Sequence, residues 1–106
     1  MSNVARGLAL ISFVALLAPS CSGADKDLCN TIAQCEGGND KDIEACTDGI
    51  EADQGVASAY DCSSPYQTYF ECKIRTGNCA NKRHTVKCPD EKKAYDACVE
   101  SASAHH

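Results

Sequence analysis

The chain has no tryptophan and only six aromatic residues in 106 positions. So few large rings limit the apolar area that a core can bury. Its longest uncharged apolar run, Leu8 to Ala18, covers 11 residues, and a helix that crosses a bilayer needs about 20. Basic side chains are the minority, 10 against 15 acidic ones for a net charge of −5, which argues against general binding to nucleic acid. No C-x-x-C motif occurs, so the usual redox dithiol is missing. The closely spaced cysteine pairs of zinc ribbons and fingers are missing too. There is no glycine-rich phosphate loop, and His84 is the only histidine before the last two residues. These absences lead us to expect no enzyme, no cofactor and no small-molecule substrate.

What the chain does have is cysteine, nine in all. The length allows one domain, and this cysteine density in a short chain reads as a disulfide scaffold belonging to an oxidising compartment. Residues 1–20 read as an export signal, with Arg6 supplying the positive start and Leu8 to Ala18 the apolar stretch. Residues 21–24 read as a modified cysteine and a short tether, residues 25–101 as the folded domain and residues 102–106 as a fraying tail.

The apolar run ends in Leu17-Ala18-Pro19-Ser20-Cys21. This resembles the lipobox of bacterial lipoproteins, although Ala18 stands where that family favours leucine. The resemblance implies that Cys21 receives a diacylglyceryl group and becomes the first residue of the exported protein, with the membrane as its partner through that lipid. Ser22, in place of an aspartate, implies the outer membrane. Ala18 and Ser20 equally suit an ordinary signal peptidase, which would leave Cys21 free. Parity favours lipidation: with Cys21 modified, Cys29, Cys35, Cys46, Cys62, Cys72, Cys79, Cys88 and Cys98 form an even set. The whole layout also resembles the small cysteine-rich lipoproteins that some Gram-negative bacteria encode in many copies, a family that implies a location and a fold but no activity.

Four segments read as helices, giving an expected all-α fold: a small disulfide-rich bundle of two antiparallel helical hairpins. The first runs from about Lys26, capped by Asp25, to Gly37-Gly38; Leu28, Ile32 and Cys35 share a face. The second runs from about Lys41, capped by Asn39 or Asp40, and is expected to end at Gly55. The third opens on Ser64-Pro65-Tyr66-Gln67, a capping-box pattern, and closes at Gly77. The fourth follows Pro89, with Asp90 and Glu91 in its first turn. No stretch alternates as a strand does, so Gly77 to Cys88 reads as a loop. The thirteen large apolar side chains, Val56, Ile74 and Val86 among them, make so thin a core that covalent staples are needed.

Cys62-x9-Cys72 and Cys88-x9-Cys98 resemble the twin CX9C pattern of coiled-coil-helix-coiled-coil-helix proteins. That resemblance implies Cys62–Cys98 and Cys72–Cys88. Antiparallel geometry agrees, since facing residues have a nearly constant sum and both pairs give 160. For the other four cysteines we expect Cys35–Cys46 across the glycine turn and Cys29–Cys79 between the hairpins. Exchanging Cys29 and Cys35 serves nearly as well.

Cys79, His84 and Cys88 could in principle ligate zinc or copper, but an exporting compartment favours disulfides, and we expect no metal. Charge is segregated. Residues 24–61 carry 10 acids and two lysines, while residues 73–93 carry seven bases and two acids. The two regions can attract each other within the fold. The basic loop, with Lys82, Arg83 and Lys87, can also meet an anionic surface or an acidic protein partner. The leading expectation is an exported, lipid-anchored, non-catalytic interaction module. A periplasmic metal- or thiol-handling protein and a secreted small toxin or inhibitor are the alternatives.

Overall fold

The computed structural model describes the backbone of residues 20–104 and the side chains of residues 23–104. Residues 1–19 of the expected export signal, the Cys21 side chain and His105-His106 lie outside these. The order is α1 (Ser20–Glu36), α2 (Asp40–Ala59), α3 (Ser63–Thr76), β1 (Asn78–Ala80), β2 (Arg83–Thr85) and α4 (Pro89–Ser103). Helix α1 packs on α2 and α3 on α4, with α2 touching α3. The fold is the small disulfide-rich all-α arrangement expected, with one short hairpin of strand added.

Helix α1 starts earlier than the sequence suggested, so residues 22–24 are helical and form no extended tether. Asp25 is not its cap. It lies in the helix interior, 5% exposed, where both carboxylate oxygens accept from Gln54 Nε2 of α2 at 3.2 Å. The helix ends at Gly37, which takes a left-handed φ of 77°. The Gly38 N–H then donates to the Ala33 carbonyl at 2.8 Å, closing a Schellman turn.

Asn39 caps α2. Its Oδ1 accepts from the N–H groups of Lys41 and Asp42, and Asp42 Oδ2 accepts from the Asn39 N–H at 2.9 Å, a complete capping box. Helix α2 does not stop at Gly55 but continues to Ala59. A glycine costs about 1 kcal/mol relative to alanine, and Ala57, 1% exposed just beyond it, packs in the core and holds the extra turn. A second Schellman turn ends this helix: Cys62 N–H donates to Ala57 O at 2.7 Å and Asp61 N–H to Ser58 O at 3.1 Å. Asp61 occupies the left-handed position with φ 60°.

The capping box expected at Ser64 does not form. Helix α3 begins two residues earlier, at Ser63 rather than Pro65, with Cys62 as an N-cap that makes no side-chain bond. The preceding Schellman turn fixes the chain's exit, so the start is set by α2 rather than by Ser64. Helix α4 starts at Pro89 and runs through Ser103, into the segment expected to fray.

The expected loop contains a two-stranded antiparallel hairpin pairing Asn78 with Thr85, Cys79 with His84 and Ala80 with Arg83. Its two-residue turn, Asn81-Lys82, has positive φ at both positions, 55° and 61°, as a type I′ turn requires. Three-residue strands are too short to show alternation in sequence.

The core joins Leu28 and Cys29 of α1, Ile50 and Ala57 of α2, and Tyr66 and Phe70 of α3. Tyr95 of α4 closes it, edge-on to Tyr66 at 5.3 Å between ring centroids. The most deeply buried large side chains are cysteines: Cys29, Cys62 and Cys72. Val56, Ile74 and Val86, counted above as core, are exposed.

Four disulfides hold these elements: Cys29–Cys46, Cys35–Cys79, Cys62–Cys98 and Cys72–Cys88. The last two are those the twin CX9C resemblance implies. The expected Cys35–Cys46 and Cys29–Cys79 are replaced by the exchanged pairing. The turn centres on Gly38, so facing residues of α1 and α2 sum to about 76; Cys29 and Cys46 give 75, whereas Cys35 and Cys46 give 81. Cys35 is six residues beyond Cys29, which places it about 120° around the helix, on the side where β1 passes.

Candidate functional site

Four bridges in one small domain are the chemistry of an oxidising, extracellular or periplasmic environment. All eight cysteines with described side chains are bonded. That removes the proposed ligand set. Cys79 and His84 do face each other across the hairpin, but the Cys79 sulfur is bonded to Cys35 and the Cys88 sulfur to Cys72. Cys72 and Cys88 also lie near Glu91, and the same bond withholds both thiolates.

The hairpin is the most distinctive surface. Cys35–Cys79 fixes one strand to the end of α1, and the His84 N–H donates to Glu36 Oε2 at 3.1 Å. Glu36 of the acidic half thus meets the hairpin through a backbone donor, and among the described residues no ion pair joins the two halves. The His84 ring packs over Gly77, where a Cβ would stand 2.8 Å from Nε2. Gly77 leaves room for this close approach and, with φ −57°, makes no left-handed turn.

Lys82, Arg83 and Lys87 are all exposed, but they do not form one cluster. Lys82 and Arg83 sit at the turn, whereas Lys87 lies past the far end of β2, up to about 13 Å of extended chain away. Thr76 fixes that lower end: its Oγ1 accepts from the Lys87 N–H at 3.0 Å and donates to Cys72 O at 2.8 Å. Among the described residues the ion pairs are Lys41–Glu44 and Lys92–Asp96, so the side chains of Lys82, Arg83 and Lys87 have no carboxylate partner.

Lys87 instead borders a recess of about 490 Å³ lined by Tyr69, Val86, Cys88, Pro89 and Lys92. Lys73 stands over the Tyr69 ring, 4.3 Å from its centroid. Burial, opposed in part by Asp53, holds the Lys73 ammonium below its ordinary range. The hydrogen bond to Asp96 raises Lys92. Sequence reasoning missed Tyr69, Val86 and Lys92 as neighbours of Lys87 in this recess, and Lys73 as the cation over Tyr69. The signal was present: the constant sum that pairs Cys72 with Cys88 also sets Lys73 opposite Lys87 and Tyr69 near Lys92.

A second unusual environment lies at the junction of α1, α2 and α3. The Tyr66 hydroxyl is buried without a hydrogen-bond partner. Burial first, then the charges of Asp53 and Asp25, push it up to about 12.

No protein-family profile, curated protein or solved structure matches this chain. Among the described residues, no helix is long and apolar enough to cross a membrane.

Proposed function

We propose that the chain is an exported, lipid-anchored, non-catalytic interaction module whose disulfides hold a cationic hairpin out to an anionic partner. The observation that carries this reading is the complete pairing of the eight other cysteines, which leaves Cys21 as the odd one, at the end of the lipobox-like segment. Ser22 favours the outer membrane as its location. Helix α1 rises about 1.5 Å per residue, so Cys35 and the hairpin stand about 21 Å along the axis from Cys21. The lipid and the hairpin then occupy opposite ends of one rigid rod. The Lys82, Arg83 and Lys87 side chains, without a carboxylate partner among the described residues, give the surface its sign, and the consumed thiols weigh against metal or thiol handling.

Intact-mass analysis of the membrane fraction tests the anchor. The reading predicts a protein beginning at Cys21, with acyl mass added and eight cysteines oxidised. An unmodified Cys21 in a soluble product would remove the anchor and favour a released toxin or inhibitor.

A further inference from the structure

We infer that the recess at the foot of the hairpin seats the headgroup of an anionic phospholipid, its phosphate at Lys87, beside the Tyr69 ring that Lys73 covers, and its glyceryl and upper acyl part over Tyr69, Val86 and Pro89. This deepens the proposed function by naming the partner, and rests on that reading for its compartment.

Three observations converge. The recess is apolar in its lining, with Val86 36% exposed and the Tyr69 ring beside it. Apolar side chains left open next to unpaired cations are the composition of interfacial lipid-binding surfaces. An acidic peptide alone would leave Val86 and Pro89 without a partner. Lys73 is half-buried on Tyr69 and makes no ion pair among the described residues. The Asp53 charge offsets its burial only in part, so the ammonium still gains from a phosphate arriving beside Tyr69. Lys92 is already paired with Asp96 at 2.7 Å, so it contributes less.

The frame is also rigid. Cys72–Cys88 joins the helices directly beneath the recess, and Thr76 ties the Lys87 backbone to α3. Little ordering is left for the lipid to impose.

The test is flotation of the oxidised chain carrying Cys21→Ser, so that no lipid of its own anchors it. Vesicles of phosphatidylglycerol and of phosphatidylcholine are compared. Binding is expected to the first and not to the second. Lys87→Gln should weaken it about fivefold, and Val86→Ser, which leaves every charge in place, should weaken it by a similar factor. Absence of binding to phosphatidylglycerol overturns the inference. So does a Val86→Ser protein that binds as well as its parent, because simple attraction of a basic hairpin would then suffice. Equal binding to polyglutamate, lost in the same two variants, would identify an acidic protein instead. Both substitutions keep the backbone bonds of residues 86 and 87, and non-reducing mass analysis confirms that each variant retains its bridges. Since Cys21 is absent here, failure of this experiment leaves the anchor to be judged separately by intact mass.

Discussion

Cys35 and Cys79 join the last turn of α1 to the first strand of the hairpin, their Cα atoms 5.8 Å apart across 44 residues of chain. Among the described residues it is the one disulfide that ties the α1–α2 pair to the rest of the molecule. The other three bridges each close within a single helical hairpin. Beside it the His84 N–H bond to Glu36 is, among the described residues, the remaining polar tie of hairpin to α1.

Replacing both Cys35 and Cys79 with alanine should therefore free the hairpin while each helical pair stays stapled. Loop-closure entropy for this separation corresponds to about 4 kcal/mol. Hydrogen exchange is the direct readout: protection at His84 should fall sharply, while amides in α2 and α3 change less. Equal loss of protection everywhere would show that the halves fold as one unit.

Tyr66 gives a pH signature. Its folded value, about 12, lies above the ordinary 10.0. A group raised on folding contributes stability that is fully present below the unfolded value and is lost as pH climbs through the folded one. Stability should thus decline from about pH 10 to about pH 12. In a rapid ultraviolet titration, tyrosinate from one residue should appear late. Tyr66→Phe should remove that late step and, by deleting an unsatisfied buried hydroxyl, leave stability at neutral pH equal or higher by up to about 1 kcal/mol. A marked loss would mean that the hydroxyl has a partner.

Asn39→Ala removes the side-chain oxygen that accepts from the Lys41 and Asp42 N–H groups, and leaves the backbone N–H of residue 39 to donate to Asp42. Denaturant unfolding of the oxidised protein should show a loss of about 1 kcal/mol. Ser64→Ala, at the position where the sequence pattern alone placed a capping box, should cost much less.

Asp61 holds φ 60° at the end of α2, a conformation that glycine adopts without penalty. Asp61→Gly should raise stability by up to about 1 kcal/mol, and Asp61→Val should lower it, both read from the denaturation midpoint.

The helices were legible because their signals are local: Pro89 with two acids, the Gly37-Gly38 stop and the Asn39 cap all act within a turn. The Cys62–Cys98 and Cys72–Cys88 pairing followed a spacing that repeats. The first hairpin was harder, since its pairing depends on where the turn centres and on the phase of Cys35 against Cys29. A shift of one turn residue changes which cysteines face each other. Asp25 resembled a cap and proved to be a buried acid, because only its tertiary partner Gln54 distinguishes the two. The hairpin's strands were hidden by their length, although Asn81 at the turn was a fair hint. The recess required the two halves of the α3–α4 pair to be laid side by side before Tyr69, Val86 and Lys87 met.

Non-reducing peptide mapping of the exported protein tests the whole account at once. It should yield Cys29–Cys46, Cys35–Cys79, Cys62–Cys98 and Cys72–Cys88, with Cys21 on an acylated amino-terminal peptide. Free thiols among the eight, or a Cys35–Cys46 peptide, would contradict it.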